Sequence, residues 1–152
     1  LALVARALGA DRFLLAGDED ERMFENLNSV CERFGGDVGT EHVSGLSHLK
    51  KHVAEGGVAV HLTMYGEPFR DAIPKMRRDR PLCIVVGGAK VPGDIYKICQ
   101  HNVAVGNQPH SEVSALAIAL SRINPDGYNQ TFEGGLLEVI PSSERRNMVS
   151  KE

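Results

Sequence analysis

The chain has 152 residues, 42% of them hydrophobic, which is enough for one domain with a sizeable core and too few for two ordinary domains. Its formal net charge of −3 excludes a protein that coats nucleic acid by bulk electrostatics, so any RNA affinity must be local. Cys31, Cys83 and Cys99 are odd in number, widely spaced and free of CxxC or CxxH patterns, which predicts reduced core residues. No apolar run approaches the roughly 20 residues that span a bilayer, and a cytoplasmic location is expected.

The opening LALVARALGA is apolar with helical spacing, carries Arg6 and lacks a signal-peptide layout. It begins without Met, as if an upstream strand had been left out, so the first element is expected to be incomplete. RFLLAG (12–17) reads as a buried strand. DEDERMFENLNSVCERFGG (18–36) reads as a helix with Asp18 at its N-cap, acids in its first turn and glycines closing it. VGTEHV (38–43) is a weak strand, GLSHLKKHVAEGG (45–57) a short basic helix, and GVAVHLTMYG (57–66) a strand running into a glycine turn. EPFRDAIPKMRRD (67–79) is a helix that Pro74 should kink or split. PLCIVVGG (81–88) is the most strand-like run, followed by a short helix, VPGDIYKICQ (91–100), and the strand HNVAVG (101–106). A last helix is expected over 109–123. Its residues Val113, Leu116, Ala117, Leu120 and Ile123 lie near one stripe, while Ala115, Ile118 and Ala119 leave the rest small or apolar, so a second copy of the chain is the natural cover for one side. INPDGYNQ is turn-rich, FEGGLLEVIP (132–141) supplies a final strand or a hairpin with something upstream, and 142–152 should fray. The alternation predicts an α/β fold: a mainly parallel sheet with helices on both faces.

Three strands end in glycine- or turn-bearing loops that lead into helices: LTMYG (62–66), VGGAKVP (86–92) and VGNQPHSE (105–112). The carboxyl ends of an open parallel sheet share one crevice, so these loops can converge on a ligand. Glycine there lets backbone N–H and C=O approach it closely, which suits a nucleotide-like molecule. Each loop read alone is merely a tight turn. Neither GxGxxG nor GxxxxGK[ST] occurs, so the ligand need not carry phosphate.

HLTMYG, VVGGAKVP and above all VAVGNQPHSEVSALA resemble the archaeal tRNA cytidine 2′-O-methyltransferases that act on position fifty-six of the T-loop, a family of the SPOUT class. The likeness runs from VARALGAD to FEGGLLEVIP and so makes residues 1–152 one SPOUT-type domain. It implies an enzyme that uses S-adenosyl-L-methionine and tRNA, a homodimer, and a C-terminal trefoil knot, with no DNA or membrane partner. Carried onto this sequence, it implies that Leu62, Gly87, Gly88, Ala89, Lys90, Val91, Val105, Gly106, Asn107, Gln108, Pro109, His110, Ser111 and Glu112 bind the cofactor. Pro109 fixes the backbone where loop becomes helix, Ser111 caps it, and Asn107 or Gln108 bonds the methionine or ribose end or packs the dimer. His110 and Glu112 are assigned to binding, each having an ordinary structural reading as a bonded loop histidine or a first-turn acid. ARALGAD resembles the first motif of the 2′-O-methylating branch, which assigns Arg6 a catalytic role. Since a guanidinium is a poor base, that role is holding a phosphate and stabilising the developing alkoxide. The alternative is a helix charge beside Gly9.

Lys75, Arg77, Arg78 and Arg80 form a basic cluster that suits tRNA phosphates or a solvated helix end. The histidines lack metal-ligand spacing, so no metal is expected. Tyr65 suits stacking on a base or packing on the sheet. Three other readings stay open: a flavodoxin-like nucleotide-binding module, a knotted dimer that binds the cofactor without methylating anything, and a SPOUT methyltransferase with another RNA target.

Overall fold

β3 (Val58–Pro68) is the axis of the computed structural model, which describes residues 1–87 and 91–151. Its first five residues, Val58 to Leu62, are all buried, as expected of a parallel strand covered on both faces. β4 (Leu82–Val86) and β5 (His101–Ala104) flank it in parallel, in the order β4-β3-β5. Side chains alternate across this sheet. Val58, Val60 and Leu62 enter one core with Ala5 of α1 (Ala2–Ala7), Phe69 and Ala72 of α4 (Phe69–Ala72), and Leu116, Ala119 and Leu120 of α6 (Glu112–Ile123). Ala59 enters another with Leu49 of α3 (Gly45–Ala54), Ile95 of α5 (Asp94–Ile98) and Cys99. Helices therefore cover both faces of a parallel sheet.

The expectation of one sheet needs amending. Among the described residues, β1 (Arg12–Ala16) pairs in parallel only with β2 (Gly39–Val43), as a separate two-stranded unit. A third core of Ala2, Val38 and Leu27, the last from α2 (Glu21–Phe34), lies beside it. β1 is half-buried rather than buried, with its two end residues exposed. The N-cap of α2 is Asp20, not Asp18: its carboxylate accepts from Met23 N at 3.0 Å, and a cap must stand immediately before the first turn. Pro74 does split its helix. α4 stops at Ala72 and a 3-10 turn, Ile73–Lys75, follows. The tail is not frayed throughout: β6 (Leu137–Val139) pairs antiparallel with β7 (Met148–Ser150), so the hairpin partner lies downstream. Pairing satisfies backbone groups that the short β6 could not satisfy alone.

β3 continues past the expected glycine turn, with an interruption. Its register with β5 jumps from Leu62↔Val103 to Glu67↔Val103, so residues 63–66 leave the ladder as a bulge. Gly66 makes this possible, since a Cβ there would lie 2.4 Å from Val103 N and 2.5 Å from Asn102 O. On α6 the buried residues are Leu116, Ala119 and Leu120, whereas Val113 and Ile118 are 41% and 46% exposed. The expected stripe thus loses Val113 and gains Ala119, because α6 meets both α1 and the sheet.

Candidate functional site

The carboxyl ends of β3, β4 and β5 open into a cavity of about 560 Å³, within the range of small-molecule sites. All three expected loops reach it. Leu62 lines it from β3, Gly87 and Val91 from the β4 loop, and Val105, Gly106, Gln108, Pro109, His110, Ser111 and Glu112 from the β5 loop. Gly88, Ala89 and Lys90 lie outside the described residues. Asn107 is not among the lining residues. Its Nδ2 donates to Met64 O at 2.8 Å and to Gly66 O at 3.1 Å, so it ties the β5 loop to the bulge of β3.

Local chemistry explains the shape of the β5 loop. Gly106 turns the chain with a φ of 79°, a conformation that costs most other residues energy. Ser111 is the N-cap of α6, its Oγ accepting from Val113 N at 3.2 Å and Ser114 N at 3.4 Å. The His110 ring lies with Nε2 2.5 Å from Val105 O and Nδ1 3.1 Å from Ser111 O, and the ring nitrogen that carries the hydrogen donates to its carbonyl, which closes the loop on itself beside the cavity. Glu112, exposed in the first turn of α6, leaves a carboxylate at the wall.

Sequence reading missed one wall. His61, Thr63 and Tyr96 line the cavity and belong to one polar network. Asn102 Nδ2 donates to Tyr96 O at 3.0 Å, which turns its Oδ1 toward His61, 3.0 Å from Nδ1. Nδ1 therefore carries the proton, and Nε2 is left as an acceptor. Burial lowers the His61 pKa below its ordinary value, with the Asn102 bond opposing this, which favours the neutral ring. The Tyr96 ring stands edge-on to it at 4.8 Å, and its hydroxyl shares a 2.8 Å hydrogen bond with Thr63. The only sequence signal was His61 and Thr63 two apart on one strand face; Asn102 and Tyr96 join them through tertiary pairing. Tyr65 lies 76% exposed at the cavity, not packed on the sheet.

Arg6 lies elsewhere. It is 6% exposed, its Nη2 donates to Gly35 O at the end of α2, and its guanidinium lies 4.4 Å from the centroid of the Phe132 ring. Its Nε has no partner, and no carboxylate pairs with it, among the described residues. No group of metal-ligating side chains occurs among the described residues, and no helix there is long and apolar enough to cross a membrane.

The sequence profile of the tRNA ribose 2′-O-methyltransferase family, aTrm56, matches residues 34–149. The chain belongs to this family. Relatives named tRNA (cytidine(56)-2′-O)-methyltransferase include one from Thermococcus kodakarensis, 39% identical over all of this chain and 87% of the relative. Another, from Methanothrix thermoacetophila, is 41% identical over 99% of this chain and 87% of its own. Family membership rules out the flavodoxin-like reading. Among solved structures, the SpoU methyltransferase AviRb from Streptomyces viridochromogenes, in complex with the cofactor AdoMet, matches with a TM-score of 0.59 and 15% identity over 82% of this chain and 51% of that chain. An RNA 2′-O ribose methyltransferase matches with a TM-score of 0.60 and 21% identity over 80% and 48%. These two show a shared fold.

Proposed function

We propose that the protein methylates the ribose 2′-oxygen of cytidine 56 in tRNA, with S-adenosyl-L-methionine held in the cavity at the strand ends. The observation that carries this reading is the convergence of the three loops in a member of this family. The lining fits such a cofactor. Leu62, Val86, Val91 and Val105 offer apolar wall for an adenine, Thr63, Tyr96 and His61 offer hydroxyls and a ring acceptor, and the Glu112 carboxylate suits an ammonium. At Gly87 a Cβ would lie 2.0 Å from Val91 Cγ2, so the wall has no room for a side chain there. Bound there, the cofactor supplies an electrophilic methyl group.

The chain's own work is to align the hydroxyl with that methyl group, exclude water and help the hydroxyl shed its proton. Tyr65, exposed at the rim, suits a stacked base. Arg6 is assigned to the nucleotide's phosphate and to charge on the 2′-oxygen. A buried guanidinium with no carboxylate partner among the described residues supports this, because such a charge is costly unless an anion completes it. Arg6 is not among the described lining residues of the cavity in its own chain, so this role requires the homodimer that the resemblance implies to bring Arg6 and a cavity together. A homodimer is supported by Leu3 of α1 and Ile118 of α6, 53% and 46% exposed on two helices that pack together. The trefoil knot that the resemblance implies belongs to the same reading.

The test combines calorimetry of S-adenosyl-L-methionine binding with tritiated-methyl transfer to an unmodified tRNA transcript and nucleoside analysis. Binding heat and 2′-O-methylcytidine at position 56 are expected. Binding without transfer would leave the knotted binder that methylates nothing.

A further inference from the structure

The opposite end of the same sheet carries a second cavity, of about 290 Å³. Val58 begins β3 and His101 begins β5, so it opens at the amino-terminal edge. Along β3 three residue steps separate it from the ligand cavity, Val58 to His61, roughly 10 Å at about 3.3 Å per residue. Lys75, Arg77, Arg80 and His101 line it, with no carboxylate among its described lining residues. Gln100 holds its floor, accepting from Ala59 N at 2.7 Å and donating to Gly57 O at 3.1 Å.

The charges around it do not balance. Asp79 alone answers two guanidiniums, Arg77 through Nε at 3.2 Å and Nη2 at 2.7 Å, and Arg80 at 3.9 Å. Glu67 answers Lys75, and Arg78 has no ion pair among the described residues. Four cations thus face two carboxylates on a chain whose net charge is −3. The side chains of Lys75, Arg77 and Arg80 are each at least half exposed, and exposed pairs of this kind contribute about 0–1 kcal/mol. An incoming phosphate can displace them, and arginine meets it with two parallel hydrogen bonds. No Phe, Tyr or Trp is among its described lining residues, and His101 is its one aromatic ring there. Three cations against that single ring suit a phosphodiester backbone better than a nucleoside.

We infer that this cavity grips backbone phosphates of the tRNA at a distance from the nucleotide being modified, through Arg77 and Arg80 with Lys75 in support. The inference rests on the tRNA reading above and adds a sequence-independent anchor to it. Binding of fluorescein-labelled tRNA to the full chain, followed by anisotropy across a salt series, tests it without requiring methyl transfer. Arg77→Ala/Arg80→Ala should weaken binding about tenfold and lower the slope of log K against log salt by about 1–2. The calorimetric affinity for S-adenosyl-L-methionine and kcat at saturating tRNA should not change. Asp79→Asn, which frees both guanidiniums, should tighten binding severalfold. An unchanged slope in the double variant, or no tightening in Asp79→Asn, overturns the inference whether or not the wild type methylates. A wild type that binds tRNA with the expected slope but transfers no methyl group overturns the catalytic reading and leaves the anchor standing.

Discussion

Gly66→Ala tests how the ligand cavity is built. The new methyl group would stand 2.4 Å from Val103 N and 2.5 Å from Asn102 O, both backbone atoms of a strand whose Val103 is fully buried. Neither can swing aside as a flexible side chain would, so β3 and β5 must part at the bulge. Overpacking of this kind costs about 1–3 kcal/mol. Parting also moves Gly66 O and Met64 O away from Asn107, and each hydrogen bond is worth about 0.5–1.5 kcal/mol. The expected loss is therefore about 2–6 kcal/mol, read as a fall in the urea midpoint with an unchanged m-value. Because residues 63–65 line the cavity, affinity for S-adenosyl-L-methionine should fall in any variant that still folds. Gly93→Ala is the control: its φ is −59° and a Cβ there meets nothing within 4 Å, so its effect should stay within about 0.5 kcal/mol. If Gly66→Ala matches this control in stability and binding, the close approach of β3 and β5 does not shape the cavity.

Arg6→Ala should cut single-turnover methylation by about 10²–10³ while leaving cofactor affinity near normal, and Arg6→Lys should rescue little because a point charge cannot reproduce the guanidinium fork. Near-normal rates in a folded Arg6→Ala protein would return this residue to a packing role between Gly35 and Phe132. Burial lowers the His61 pKa from 6.5, so below about pH 6.5 the unfolded chain binds more protons and stability falls on acidification. The urea midpoint should accordingly drop further between about pH 7.5 and pH 5 in the wild type than in His61→Gln. Burial and the neighbouring Cys83 push the Cys99 thiol up to about 11, and burial raises Cys83 too. Iodoacetamide at about pH 8 should leave both unmodified in the folded protein, as read by peptide mass mapping.

Sequence alone determined the order of strands and helices, because apolar runs, N-caps and glycines act over a few residues. Ser111 capping α6, the break at Pro74 and the three glycine loops at strand ends were all legible on that scale. The resemblance in VAVGNQPHSEVSALA carried the family and the β5 side of the cavity wall. Tertiary structure alone decided that Asn107 spans to Met64 and Gly66, that Asn102 and Tyr96 complete a network on His61, and that β7 returns to pair with β6. It also placed Arg6 against Gly35 and Phe132 rather than in the cavity of its own chain. Each of these contacts joins residues that local pattern does not connect: Arg6 to Phe132 across the chain, or Asn107 to Met64 through the register of β5 on β3. Register and crossing are set by how the whole core packs, and a window of neighbouring residues holds no record of them.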